Sequence, residues 1–175
     1  MFFAVMASGA TIIGLLTFIT PYFLGRGLSS FQAAMVVGLI TAGGIPGSLL
    51  AGWLLDRSPV PVTTAVVASF FAGLAVFYFF EPGFPFALAI FAALLMGIAL
   101  AGGEVMWVTL TKRQFGAAVF PTTYGGWYFA MQIGYGIGAT LAGWVFDMAG
   151  GKGFLIFTGL LYIPVVLFAI WRPHI

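Results

Sequence analysis

The sequence predicts an all-α membrane protein: six transmembrane helices laid out as two three-helix units of opposite orientation. Three observations lead there. The chain carries too little charge to build a surface for water. Its apolar residues fall into six runs separated by polar, Gly- or Pro-containing breaks. And one ten-residue stretch is written twice, half the chain apart.

Charge comes first. Six basic and four acidic residues are spread over 175 positions, and 62% of the chain is hydrophobic. A soluble domain is nearer a quarter charged, so lipid must be the solvent for most of this chain. The net charge of +2, with no basic run, gives no electrostatic footprint for nucleic acid, and none is expected as a partner. Cysteine is absent, which removes a disulfide frame and thiolate metal sites. The single histidine, His174, has no neighbouring ligand or catalytic partner, and no hydrolase, metalloprotease or phosphate-loop pattern is present. The expectation is therefore no enzyme activity, no metal and no cofactor. The first apolar run lacks the basic lead of a signal peptide and is too long for a signal core.

The six predicted spans are Phe2–Phe23, Ser30–Leu55, Val60–Phe80, Phe86–Thr111, Tyr124–Phe146 and Gly153–Trp171. Each holds about 19–26 residues, enough to cross a hydrocarbon core of roughly 30 Å. Before the second span, Ser29 with Gln32 three residues on reads as a capping box. "DRSPVP" and "EPGFP" stop helices with charge and Pro, "TKRQFG" and "DMAGGKG" with charge and Gly. Pro21 and Pro164, near span ends, read as kinks. Arg57, Lys112, Arg113 and Arg172 fall on one side of this topology, Arg26 and Lys152 on the other. The excess places both termini in the cytoplasm of a multi-pass protein of the cell membrane. Trp53, Trp107, Trp127, Trp144 and Trp171 all lie near span ends, as interfacial anchors do.

The repeat pairs Gly47–Asp56, "GSLLAGWLLD", with Gly138–Asp147, "GATLAGWVFD"; six of the ten positions are identical. Each copy ends the second helix of a three-helix unit. Three is odd, so the second unit enters the membrane upside down, the inverted repeat of secondary transporters. The small residues in both copies also suit close helix packing, which any bundle uses.

These stretches resemble a known family. "AGWLLDRSP" is similar to the Gly-x-x-x-Asp-Arg loop signature of the major facilitator superfamily. "TKRQFGAAVFPTTYGGWYFAMQIGYGIGATLAGWVFDMAGG", with "GGEV" before it, resembles the tenth-to-twelfth helix region of monocarboxylate and oxalate–formate transporter relatives. The resemblance covers essentially the whole chain and implies the C-terminal six helices of a twelve-helix transporter. It also implies alternating access and a gate contact at Asp56 and Arg57. One departure is that the second span carries no charge, where relatives that bind carboxylates often place an Arg.

The candidate working parts follow. Glu104 is the one ionisable residue well inside a span, about 27 Å from the start of the fourth and about 10 Å from its end. A charge there costs at least ~2.5–3.5 kcal/mol. Glu104 is read either as a proton-coupling or gating carboxylate, or as a structural partner of helix-end amides, Arg57, Lys112 or Arg113. Tyr124, Tyr128, Gln132 and Tyr135 share a face of the fifth span. Tyr128, Gln132 and Tyr135 are candidate substrate contacts in a cavity wall; the alternative is hydrogen bonding between helices. Gly43, Gly44, Pro46 and Gly47 weaken the second span and suit a hinge, or else close packing. Asp56 and Arg57 form a cytoplasmic gate, or simply anchor the helix end.

The function expected is secondary transport of a small polar or anionic solute, coupled to protons. Its partners are the lipid bilayer, the solute, and either a second six-helix half or another copy of this chain in a homodimer. A piece of a longer protein is favoured by the first helix starting at residue 2. The alternatives are a non-transporting membrane scaffold or assembly protein, or an orphaned transporter fragment.

Overall fold

The computed structural model describes residues 2–171; Arg172, His174 and the side chain of Trp171 lie outside the described residues. Five helices follow one another: α1 (Phe2–Leu24), α2 (Ser30–Leu55), α3 (Pro59–Phe79), α4 (Phe86–Leu161) and α5 (Ile163–Trp171). No strand occurs among the described residues. Four helical stretches are long and apolar enough to cross a membrane: Phe2–Leu24, Ser30–Leu55, Val62–Phe79 and Phe86–Phe168.

The last stretch holds 83 residues. As one straight helix it would be about 125 Å long, some four times the ~30 Å hydrocarbon core. It is not straight. Gly116 (φ 77°, ψ 166°) and Gly150 (φ 68°, ψ −176°) leave helical geometry for a region that is essentially glycine's alone. Neighbouring contacts show what happens there. A Cβ on Gly43 or Gly47 of α2 would meet the backbone of Leu94 or Ile98, and the Arg113 guanidinium reaches the Leu55 carbonyl. Residues 94–113 thus run beside α2 in the same sense. Gly134, Gly138 and Gly151 in turn lie against Met6, Ala10 and Tyr22, so 134–151 runs beside α1 in its sense. Because α1 and α2 are antiparallel neighbours, the chain reverses around Gly116. It reverses again around Gly150, since Lys152 sits at Glu81 while Gly159 lies back along α3 at Leu74.

The breaks therefore differ from those the sequence suggests. Residues 112–123, expected as a loop, are helical on both sides of Gly116. Lys and Arg are good helix formers and their charge does not end a helix. Pro121 comes five residues after Gly116, inside the new helix. The break expected at 147–153 is likewise helical on both sides of Gly150, while the start of α2 is as expected. The Ser29–Gln32 capping box is formed in both directions. The sixth run is interrupted at Tyr162, just before Pro164.

The bundle closes around α1, whose Val5, Leu15, Ile19 and Phe23 are fully buried. At one end the Tyr22 hydroxyl donates to the Phe77 carbonyl at 2.6 Å, and Phe23 packs edge-on against Phe77 and Phe80. Two of the five Trp depart from the anchor reading. Trp53 and Trp144 are exposed as anchors should be, but Trp107 and Trp127 are 1% and 3% exposed and pack inside. Bulk and aromatic partners decide for them: Trp107 lies on Phe168, and Trp127 stacks on Tyr124.

Candidate functional site

One face of the helix preceding Gly116 carries the polar chemistry. Gly97, Ala101, Glu104, Val108 and Lys112 recur at helical spacing and look in one direction. That face walls three adjoining cavities. The first, about 210 Å³, lies between Gly97, Ala101 and Glu104 on one side and Ile12, Leu16, Ile40, Thr41 and Gly44 on the other. The second, about 350 Å³, is lined by Glu104, Val105 and Val108 with Tyr124, Trp127, Tyr128, Met131 and Tyr135. The third, about 500 Å³, brings Asp56 together with Val108, Thr109, Lys112, Arg113 and Ala117. Glu104 is shared by the first two, and Val108 by the second and third.

Glu104 is half-buried and faces Tyr135 across the second cavity. Among the described residues no cation pairs with it. Of the basic residues proposed as its partners, Arg113 and Arg57 are engaged elsewhere, and Lys112 lines the third cavity. Arg113 Nη2 donates to the Leu55 carbonyl at 2.7 Å, tying the end of α2 to its neighbour. The Arg57 guanidinium lies over the Trp53 ring, 3.6 Å from its centroid. Asp56 is exposed and faces the third cavity with Lys112 and Arg113, not Arg57. The gate pair expected from the sequence is thus split between two surroundings.

The fifth-span stripe is sorted by the structure. Tyr124, Tyr128 and Tyr135 line the second cavity, while Gln132 is exposed and outside its lining. At about 100° per residue Gln132 lies some 80° round the helix from Tyr124, off the face on which Met131 and Tyr135 sit. Sequence reading missed Trp127 and Met131 as wall residues. Their spacing from Tyr124 and Tyr135 was the available signal, masked by an apolar look. The Trp127 indole N–H is buried and has no hydrogen-bond partner among the described residues.

The glycine segment also joins the site. α2 runs unbroken through Pro46, which is exposed. Gly43 and Gly47 are buried against the Leu94 and Ile98 backbones, and Gly44 lines the first cavity opposite Glu104. Gly43, Gly44 and Gly47 are thus close-packing positions in this conformation.

A bundle of apolar helices thus holds a carboxyl and a row of tyrosines along partly open cavities. The family model of the Major Facilitator Superfamily matches residues 1–174. The chain belongs to the major facilitator superfamily. Neither a curated protein nor a solved structure matches it. Members of the superfamily are transporters, not enzymes, so membership implies a transporter or a fragment of one. Among the described residues no group of three His, Asp or Glu side chains is placed to hold a metal.

Proposed function

We propose that this chain is the C-terminal-type six-helix half of a secondary active transporter, moving a small polar solute by alternating access with Glu104 coupling the cycle to protons. The observation that carries the reading is the placement of Glu104. A lone carboxyl within a membrane span is costly, and here it opens onto two cavities and faces Tyr135 across one of them. The reversals at Gly116 and Gly150 support six crossings in two inverted three-helix units, with both termini cytoplasmic. In that frame the Asp56–Lys112–Arg113 cavity is the cytoplasmic gate, with Arg57 beside it. α2 moves as a gate element, its Gly43, Gly44, Pro46 and Gly47 forming the hinge. Tyr128 and Tyr135 contact the solute, and exposed Gln132 faces the second six-helix half or a second copy of this chain.

Reconstitution into proteoliposomes tests this. A pH gradient should drive solute accumulation, and Glu104→Gln should abolish that dependence while leaving helix content and detergent-solution behaviour intact. Flux that follows the pH gradient equally in wild type and Glu104→Gln would remove the coupling role.

A further inference from the structure

We propose that the cavity between Glu104 and the tyrosines receives a small organic cation, an amine or quaternary ammonium, and exchanges it for a proton. The inference rests on the reading above that this cavity is the solute site, and gives that site its charge class.

The wall that this chain supplies favours one charge. Its lining holds one acid, Glu104, and no basic side chain. The closest bases on the same helix, Lys112 and Arg113, line the neighbouring cavity. Lys112 stands eight residues from Glu104, about 12 Å along the axis. An anion entering here would meet a carboxyl with nothing to neutralise it. A cation meets the opposite. Tyr124, Trp127 and Tyr128 cluster with ring centroids 5.1–6.4 Å apart. Aromatic faces around a carboxylate are how proteins hold ammonium groups, because the ring quadrupole is negative on its face. Tyr124 and Trp127 stack on one another, and Tyr128, 50% exposed, stands beside them at an open rim.

Exchange follows from having one carboxyl. Glu104 carries either a proton or the counter-charge for an ammonium, not both. Protonation therefore releases the cation, and cation binding expels the proton, so charge balances at each step. The groups facing Glu104 are few. Tyr135, Tyr128 and Tyr124 come from the helix after Gly116, while α1 and α2 present only Ile12, Leu16, Ile40, Thr41 and Gly44. Glu104 is thus the group on which the competition falls.

The test uses three probes of one shape and different charge: choline, its neutral carbon analogue 3,3-dimethylbutan-1-ol, and the anion 3,3-dimethylbutanoate. Binding to the purified full chain in lipid nanodiscs is measured by calorimetry from pH 5 to 8. Choline should bind at least about tenfold tighter than the neutral analogue, the anion should not compete, and choline affinity should fall as pH drops. Glu104→Gln should remove both the preference and the pH dependence. Tyr124→Leu should weaken choline about tenfold while Tyr124→Phe restores it. Tighter binding of the neutral probe or the anion would overturn the cation class and leave the transporter reading standing. Choline binding indifferent to both Glu104→Gln and Tyr124→Leu would overturn this site. Binding of none of the three by folded chain would overturn the inference, while the pH-driven flux above judges the transporter reading separately.

Discussion

Gly47→Ala is the sharpest test of how this bundle is held together. A Cβ at Gly47 would lie 2.6 Å from the Ile98 Cα and 2.9 Å from its carbonyl oxygen. Carbon atoms in comfortable contact stand about 3.5–4.0 Å apart, so α2 must shift by roughly 1 Å or distort. The obstacle is backbone, which has no rotamer to change. Overpacking of this kind costs about 1–3 kcal/mol, and the upper half of that range applies because neither partner yields. Two positions on the same helix supply the control. A Cβ at Gly38 meets nothing within 4 Å, and at Gly52 only Val105 Cγ1 at 3.9 Å. Any gain in helix propensity from Gly to Ala is shared by all three, so the difference isolates the contact. Unfolding in mixed detergent and SDS, followed by circular dichroism, should place Gly47→Ala about 2–3 kcal/mol below Gly38→Ala and Gly52→Ala. If the three variants unfold together, α2 is not packed backbone-to-backbone on α4 at this point.

Three further outcomes follow from single contacts. Ser29→Ala removes one half of the capping box and should cost about 0.5–2 kcal/mol in the same unfolding assay, with Ser29→Asn close to wild type. Arg113→Gln loses the 2.7 Å bond to the Leu55 carbonyl and should cost about 1 kcal/mol, and amide exchange at the end of α2 should quicken. Glu81→Gln breaks the 3.1 Å pair with Lys152, whose side chains are 56% and 42% exposed. It should change stability by less than about 1 kcal/mol, and less still at high salt.

Local signals were legible in the sequence and tertiary ones were not. Ser29 and Gln32 announce a helix start because a cap is made within four residues. α2 came out with the bounds its polar flanks suggest. Charge at Lys112 and Arg113 misled, because only Gly116, with its positive φ, turns the chain. Glu104 was visible as an oddity in an apolar run. Its place opposite Tyr135 was not, because 31 residues and a chain reversal separate them. Trp107 and Trp127 show the limit from the other side. Position near a span end suggests an anchor, but which way a side chain faces depends on a neighbour helix that no local pattern encodes. Gln132 shows the same limit within one face: spacings of four and three drift round the helix until a polar residue leaves the cavity.

The written-twice stretch bears on the inverted repeat we propose through contacts rather than through its letters. Residues 40–51 of α2 map onto 131–142 by adding 91, the offset of the repeat. Under that map the contacts of one copy reappear in the other with α1 and α4 exchanged. Gly43 on Leu94 answers to Gly134 on Met6, and Gly47 on Ile98 to Gly138 on Ala10. Gly97 on Ile40 answers to Gly9 on Met131. Gly102, 3.4 Å from the Ala51 Cβ, answers to Gly14, 3.0 Å from the Ala142 Cβ. In all four pairs the α1 residue is 88 below its α4 counterpart, so one register relates all four contacts. The second helix of each unit packs on the first helix of the other, and close backbone approach sets the glycines at both joints. The consequence is measurable. Gly138→Ala should destabilise by about as much as Gly47→Ala, roughly 2–3 kcal/mol against an open-position control such as Gly136→Ala, whose Cβ would meet nothing within 4 Å. A Gly138→Ala variant as stable as that control would leave the two joints inequivalent, and the two-fold relation between the units would lose its structural basis.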